Sequence, residues 1–305
     1  MTQMIFHLII LVAIYGILAI SLNIIVGYTG LFSLGHAAFF GIGAYTSAIL
    51  SLAGVSFWAA MFAGGILSVL VGLLVGFSTV NLQGDYFCIA TLACGQVMNA
   101  VFTNWMSLTR GPDGLPGIPS PRIFGYTLSS LPSFALLTLI ILGIVLFLTQ
   151  RLSWSPFGRL MLGIREDTIA AESIGKNVSN VKIQVILAGA FLAGIAGSLF
   201  ASYISYINPG DFDINLSILI LLMVVLGGMG NNYGSLVGAF AMVLIPTVLL
   251  LAGLPSAFSG ALQELIYGLA LIALMLFRPR GLLGESHFIS RSDRVEERET
   301  RAASD

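Results

Sequence analysis

Arg151–Lys182 reads RLSWSPFGRLMLGIREDTIAAESIGKNVSNVK and carries five basic residues (Arg151, Arg159, Arg165, Lys176, Lys182) and three acidic ones (Glu166, Asp167, Glu172). Long uncharged apolar runs lie on either side. A segment this polar between such runs sits in water, and its excess of Lys and Arg assigns it to the cytoplasmic face of a membrane. Asp167 suits the start of a helix, where its carboxylate accepts from free N–H groups, and Gly175 suits the left-handed turn that ends one. Between them Thr168–Ile174 makes about two turns, roughly 10 Å. A helix that short is marginal alone in water. It is expected to pack on something, and Ala170 and Ala171 offer a flat surface to a partner. A solvated helix that merely joins two spans accounts for the same residues.

Composition sets the class. Of 305 residues, 57% are hydrophobic and 9% charged, against about 25% charged in soluble domains. The first Asp, Glu, Lys or Arg is Asp85, and a second run without one extends from Ile214 to Gln263. Each run exceeds the ~20 residues that cross a hydrocarbon core, so each holds several spans. The chain is a polytopic all-α membrane protein in contact with lipid. Its net charge of −1 is segregated into loops and tail and gives no basic surface for nucleic acid. Cys88 and Cys94 lack metal-ligand spacing and read as small buried hydrophobes. MTQMIFHLII has no Lys or Arg before its apolar core, unlike a cleaved signal, so the first span is expected to be retained.

Nine spans are expected, at 4–27, 34–52, 57–80, 86–106, 132–150, 183–207, 214–230, 234–253 and 258–277, with eight to ten compatible with the pattern. Loop 107–131 is too polar to cross, and Pro112, Pro116, Pro119 and Pro121 forbid a regular helix there. The tail carries Arg278, Arg280, Arg291, Arg294, Arg298 and Arg301 and is assigned to the cytoplasm. Counting back through the spans puts the N-terminus outside. Residues 1–282 then form the membrane domain, with a cytoplasmic loop at 151–182, and residues 283–305 a disordered cytoplasmic tail.

Gly64, Ser68, Gly72 and Gly76 recur every four residues, as do Ala190, Gly194, Ser198 and Ser202. Such ridges let helices approach closely where lipid supplies no hydrophobic drive. Gly27-Tyr-Thr-Gly30 and Gly227-Gly-Met-Gly230 break two apolar runs 200 residues apart, and broken helices in comparable places point to a translocation path. Polar groups at membrane depth are few: Asn23, Ser33, His36, Thr46, Gln96 and Asn99. Each needs a protein partner or a watery path, because burying an unpaired polar group costs a few kcal/mol. Interhelical bonds are the commoner use; Asn23, Ser33, His36, Gln96 and Asn99 are also the candidates for lining a substrate path. Glu264 is the one acid inside an expected span.

No phosphate-binding G-x-x-x-x-G-K-[ST] loop, HExxH or CxxC occurs. No catalytic residue, metal site or cofactor is expected. Ion-coupled carriers usually show buried carboxylates along the path, and a membrane-embedded enzyme would need clustered acid, base or metal ligands. A pore driven by a separate subunit fits better than either.

GYTGLFSLGHAAFFGIGAY (Gly27–Tyr45), LQGDYFCIATL (Leu82–Leu92), GIREDTIAAESIG (Gly163–Gly175), GGMGNNYGSLVGA (Gly227–Ala239) and FRPRGL (Phe277–Leu282) resemble, in order, the hallmark segments of LivM-type permeases. These are the membrane subunits of bacterial branched-chain amino-acid ABC importers. Gln83 departs from the Arg usual there. The resemblance implies an inner-membrane permease paired with a related permease. A periplasmic binding protein would deliver the substrate, and two cytoplasmic ATPase subunits would drive transport. It also implies that Arg165, Glu166, Asp167, Ala170, Ala171, Glu172 and Gly175 couple the chain to the ATPase. Relatives handle branched-chain amino acids, urea and short amides, and the residues do not separate these.

Overall fold

The computed structural model describes residues 2–82, 84–123, 126–128, 130–251, 262–263, 265–269, 272 and 281–283. The α-helices among them include α1 (Thr2–Thr29), α2 (His36–Leu52), α3 (Phe57–Thr79), α4 (Asp85–Asn104), α5 (Met106–Thr109), α6 (Leu131–Trp154), α7 (Pro156–Glu166), α8 (Thr168–Ser173), α9 (Val178–Ile204), α10 (Ile214–Gly227) and α11 (Asn232–Leu251), and residues 265–269 are helical as well. Five of these, α1, α3, α4, α6 and α9, are long and apolar enough to cross a membrane, and α2, α10 and α11 are shorter apolar helices. Eight of the nine expected spans thus coincide with helices. The ninth, at 258–277, lies largely outside the described residues, as do Gln83, Glu264 and residues 284–305.

Helix α1 is apolar on every side, which is the pattern of a helix buried on every side. Every residue from Gly16 to Thr29 is buried, with α6, α7, α9, α10 and α11 packed around it. Helices α3, α4 and α6 form the periphery. They expose Leu67, Leu70, Leu74, Phe77, Ile89, Ile140, Ile144 and Phe147, as lipid-facing helices must. Cys88 and Cys94 are only half-buried, contrary to expectation, because α4 turns much of its surface outward.

The small-residue ridges form the densest seam. A Cβ on Gly43 would lie 2.2 Å from the Gly194 carbonyl oxygen, and one on Gly197 would lie 2.0 Å from that of Phe40. Ser68 donates to the Phe39 carbonyl at 2.9 Å, and Ser198 to the Gly43 carbonyl at 3.3 Å. Helices α2, α3 and α9 therefore meet backbone to backbone. At one end of the bundle, Leu115–Pro116 pairs antiparallel with Tyr206–Ile207, which ties loop 107–131 to the turn after α9. The charged stretch lies at the other end.

That stretch is not the open loop expected. Its first four residues finish α6, its last five begin α9, and α7 occupies much of the middle. Ser155 caps α7 by accepting from Gly158 N–H at 3.2 Å, and Pro156 stands at the first helical position, where its missing N–H costs nothing. Met161 and Ile164 are buried.

Gly194→Leu tests the seam. A Cβ at Gly194 already lies 2.5 Å from Ser68 Oγ and 2.9 Å from the Gly64 carbonyl oxygen. The variant should lose about 1–3 kcal/mol, read as a lower thermal midpoint in detergent. An unchanged midpoint would contradict the packing.

Candidate functional site: two helix breaks joined to a charged helix pair

The first break begins at Gly30, whose φ of +70° suits the left-handed turn after a helix. The chain then runs non-helically to Gly35 and resumes helix at His36, beside Ser21. His36 Nε2 and Ser21 Oγ are 2.7 Å apart. Ser21 lies eight residues before the end of α1, so the chain climbs back about 12 Å before α2 starts. The start of α2 is therefore buried within the bundle, where free backbone donors need partners. Leu34 N–H donates to Thr91 Oγ1 at 3.2 Å and Ala37 N–H to Ser217 Oγ at 3.1 Å.

The second break runs from Gly228 (φ +113°) to Asn231. The Asn231 side chain accepts from Tyr233 N–H at 3.0 Å and Gly234 N–H at 3.2 Å, capping α11. Leu282 N–H and Leu283 N–H donate to the Leu226 and Gly227 carbonyls at 2.9 and 3.0 Å. They satisfy acceptors that the end of α10 leaves open. Leu283, expected in the tail, therefore belongs to the folded domain.

The two breaks touch. A Cβ on Gly27 would lie 2.4 Å from Gly230 N. Gly230 N–H donates to Asn23 Oδ1 at 2.9 Å, and Asn23 Nδ2 donates to Asn232 Oδ1 at 3.1 Å. Arg165, on the last turn of α7, donates from Nη1 to the Gly27 carbonyl at 2.5 Å.

Helix α8 follows Arg165 closely. Asp167 accepts from Ile169 N–H at 2.9 Å and Ala170 N–H at 3.0 Å, and Gly175 has φ +76°. Both ends are as the sequence implies. The surface is not, because Ala171 is buried against this chain and cannot face a partner. Glu166, Ala170 and Glu172 are exposed, as are Ile169 and Ile174 at 74% and 72%. Arg165 is turned inward onto the breaks.

The polar candidates do not converge on one path. Asn23 joins the breaks, His36 pairs with Ser21, and Asn99 donates to the Pro209 carbonyl at 2.8 Å. Ser33 is buried beside Thr91 and Cys94. Gln96 is exposed and shares a niche with Leu34, Ala37, Asp213 and Ser217. A larger cavity of about 850 Å³ opens on the opposite face of α10, bounded by Leu11, Tyr15, Met223, Met242 and Pro246. Sequence reading missed Asn231, Asn232, Thr91 and Ser217. The Asn pair directly after Gly230 was a helix-start signal, whereas nothing local marks the two hydroxyls.

A family model described as branched-chain amino acid transport system / permease component matches residues 4–275. The high-affinity branched-chain amino acid transport system permease protein LivM of Escherichia coli is 33% identical over 297 residues, covering 90% of this chain and 68% of the relative. LivM of Salmonella typhimurium is 33% identical over 294 residues, covering 88% and 68%. The corresponding LivH protein of Salmonella typhimurium is 25% identical over 307 residues, covering 92% and 95%. No solved structure matches.

Asn23→Ala would leave the Gly230 N–H and Asn232 Oδ1 without the partner that Asn23 supplies in the interior. Each unpaired group costs about 1–3 kcal/mol, so the thermal midpoint in detergent should fall. A midpoint equal to that of the parent would show that Asn23 does not hold the breaks together.

Proposed function

The chain belongs to the family of branched-chain amino acid transport system permease components, and on that premise we propose that it forms half of the membrane pathway of an ATP-driven importer for branched-chain amino acids. A related permease of the LivH kind supplies the other half, two cytoplasmic ATPase subunits supply energy, and a periplasmic binding protein delivers the substrate. Membership of a multi-pass permease family places the chain in the bacterial inner membrane. In our reading its N-terminus is outside, and α7, α8 and the C-terminus face the cytoplasm.

One observation carries the coupling role. Helix α8 is six residues long, fixed at both ends, anchored by buried Ala171, and presents Ile169 and Ile174 to solvent in a charged segment. Two exposed isoleucines there are costly surface unless a partner covers them. An ATPase groove is that partner. Glu166, Ala170 and Glu172 border the contact, and Asp167 and Gly175 hold the helix ends. The niche around Gln96, Asp213 and Ser217, beside the buried start of α2, is the part of the substrate path that this chain supplies.

Substrate choice is tested in proteoliposomes holding both permeases and the ATPase subunits, supplied with binding protein and internal ATP. Leucine uptake that requires ATP supports the reading. Uptake of urea or acetamide in its place, or uptake driven by an ion gradient without ATP, would overturn it.

Ile169→Asp would bury an unpaired charge at the ATPase contact, a cost of several kcal/mol. The purified membrane subunits should lose their ATPase partners while both permeases accumulate normally. Retained ATPase subunits with full uptake would remove α8 from the docking surface. Orientation has its own check, in a chain with Cys88 and Cys94 replaced by Ser. An impermeant thiol reagent added to intact spheroplasts should label Ser107→Cys and spare Ser173→Cys; the reverse pattern would invert the topology.

A further inference from the structure

Arg165 is separated from the docking helix by one residue other than its cap. Asp167 ends α7, its N–H donating to the Gly163 carbonyl at 3.0 Å, and its side chain starts α8. The junction therefore contains no slack, and a displacement of α8 reaches the last turn of α7 directly.

The Arg165 side chain faces both breaks. Its Nη1 donates to the Gly27 carbonyl, one of the acceptors that the last turn of α1 leaves without a helical donor. A cation at this end of a helix is also favoured by the helix dipole. Its Cγ lies 3.3 Å from where a Cβ on Gly30 would be, and its Nη1 lies 3.2 Å from where one on Gly230 would be. Glycine at these two positions, each with positive φ, leaves the guanidinium room to lie against the backbone of both turns. Gly27 and Gly230 are themselves in contact, and Asn23 bonds across them. A force applied to Arg165 is thus applied to the end of α1 and to the turn between α10 and α11 together.

We propose that Arg165 is a positioning residue that links the docking helix α8 to the two helix breaks at Gly27–Gly30 and Gly228–Asn231, so that ATPase movement reaches the helices bordering the substrate path. The proposal rests on the importer reading and adds to it a division of labour. Ile169, Ala170 and Ile174 bind the ATPase; Arg165 touches neither ATPase nor substrate and transmits between them. A lysine keeps the charge and a donor but not the planar fork, so it serves the Gly27 contact alone.

The test uses the full complex, reconstituted with saturating leucine-loaded binding protein, and reads the ratio of stimulated to basal ATP hydrolysis. Arg165→Gln should keep its ATPase subunits and basal hydrolysis while the ratio falls about tenfold, the scale of one charge-assisted hydrogen bond. Arg165→Lys should recover part of the ratio, and Arg159→Gln, at an exposed position of α7 away from the contact, should leave it at the parent value. An undiminished ratio in Arg165→Gln would overturn the proposal. So would failure of that variant to accumulate or to hold ATPase subunits, since Arg165 would then be a folding or docking residue. A parent complex that binding protein does not stimulate would count against the importer reading itself, whatever the variants do.

Discussion

The backbone contact between Gly27 and Gly230 is the constraint on which the rest of the arrangement depends. Two helices stop at this point, and each needs backbone freedom that a side chain would remove. A Cβ on Gly27 would lie 1.9 Å from Asn23 Oδ1 and 2.4 Å from Gly230 N. Closing that gap lets one amide side chain and one guanidinium satisfy groups from both broken helices. In a hydrocarbon environment non-helical backbone survives only when the protein itself supplies such partners. Asn23 and Arg165 are therefore accounted for by the breaks they serve. The close seam of α2, α3 and α9 holds the other side of α2 while its start remains buried.

The junction also relates fold to transport. A continuous helix would carry α1 out of the membrane and end its influence there. The break instead returns the chain into the bundle, so that α2 begins next to Ser217 of α10 and Thr91 of α4. The short segment from Gly30 to Gly35 connects the Gly27–Gly230 contact to the start of α2, where Ala37 borders the Gln96 niche. The charged end of the bundle and the buried start of α2 are then linked by a few close contacts.

Much of this was legible in the residues. Long uncharged runs required a membrane bundle, and Asp167 and Gly175 marked the ends of α8 because capping chemistry is local. The glycine clusters marked both breaks. Helix α7 was missed although Ser155-Pro156 is a helix-start signal, because charge was read as loop. Ala171 was assigned outward because two adjacent alanines do not say which of them faces in. The partners of Arg165 and Asn23 lie 138 and 209 residues away, and no spacing within one segment encodes a contact made only when the bundle closes. Substrate-path residues were the least legible, since an amide that bonds across helices and an amide that lines a path look alike in sequence.

The central claim is that α8 and the second break move as one body. Spin labels at Ser173→Cys and Tyr233→Cys, both exposed positions, in a chain with Cys88 and Cys94 replaced by Ser, report the distance between them by pulsed electron resonance. Measured in the full complex at rest and with ATP trapped on a hydrolysis-blocked ATPase, the account predicts one narrow distance distribution that is the same in both states. A distribution that shifts or broadens when ATP is bound would show α8 moving independently of the break, and would contradict it.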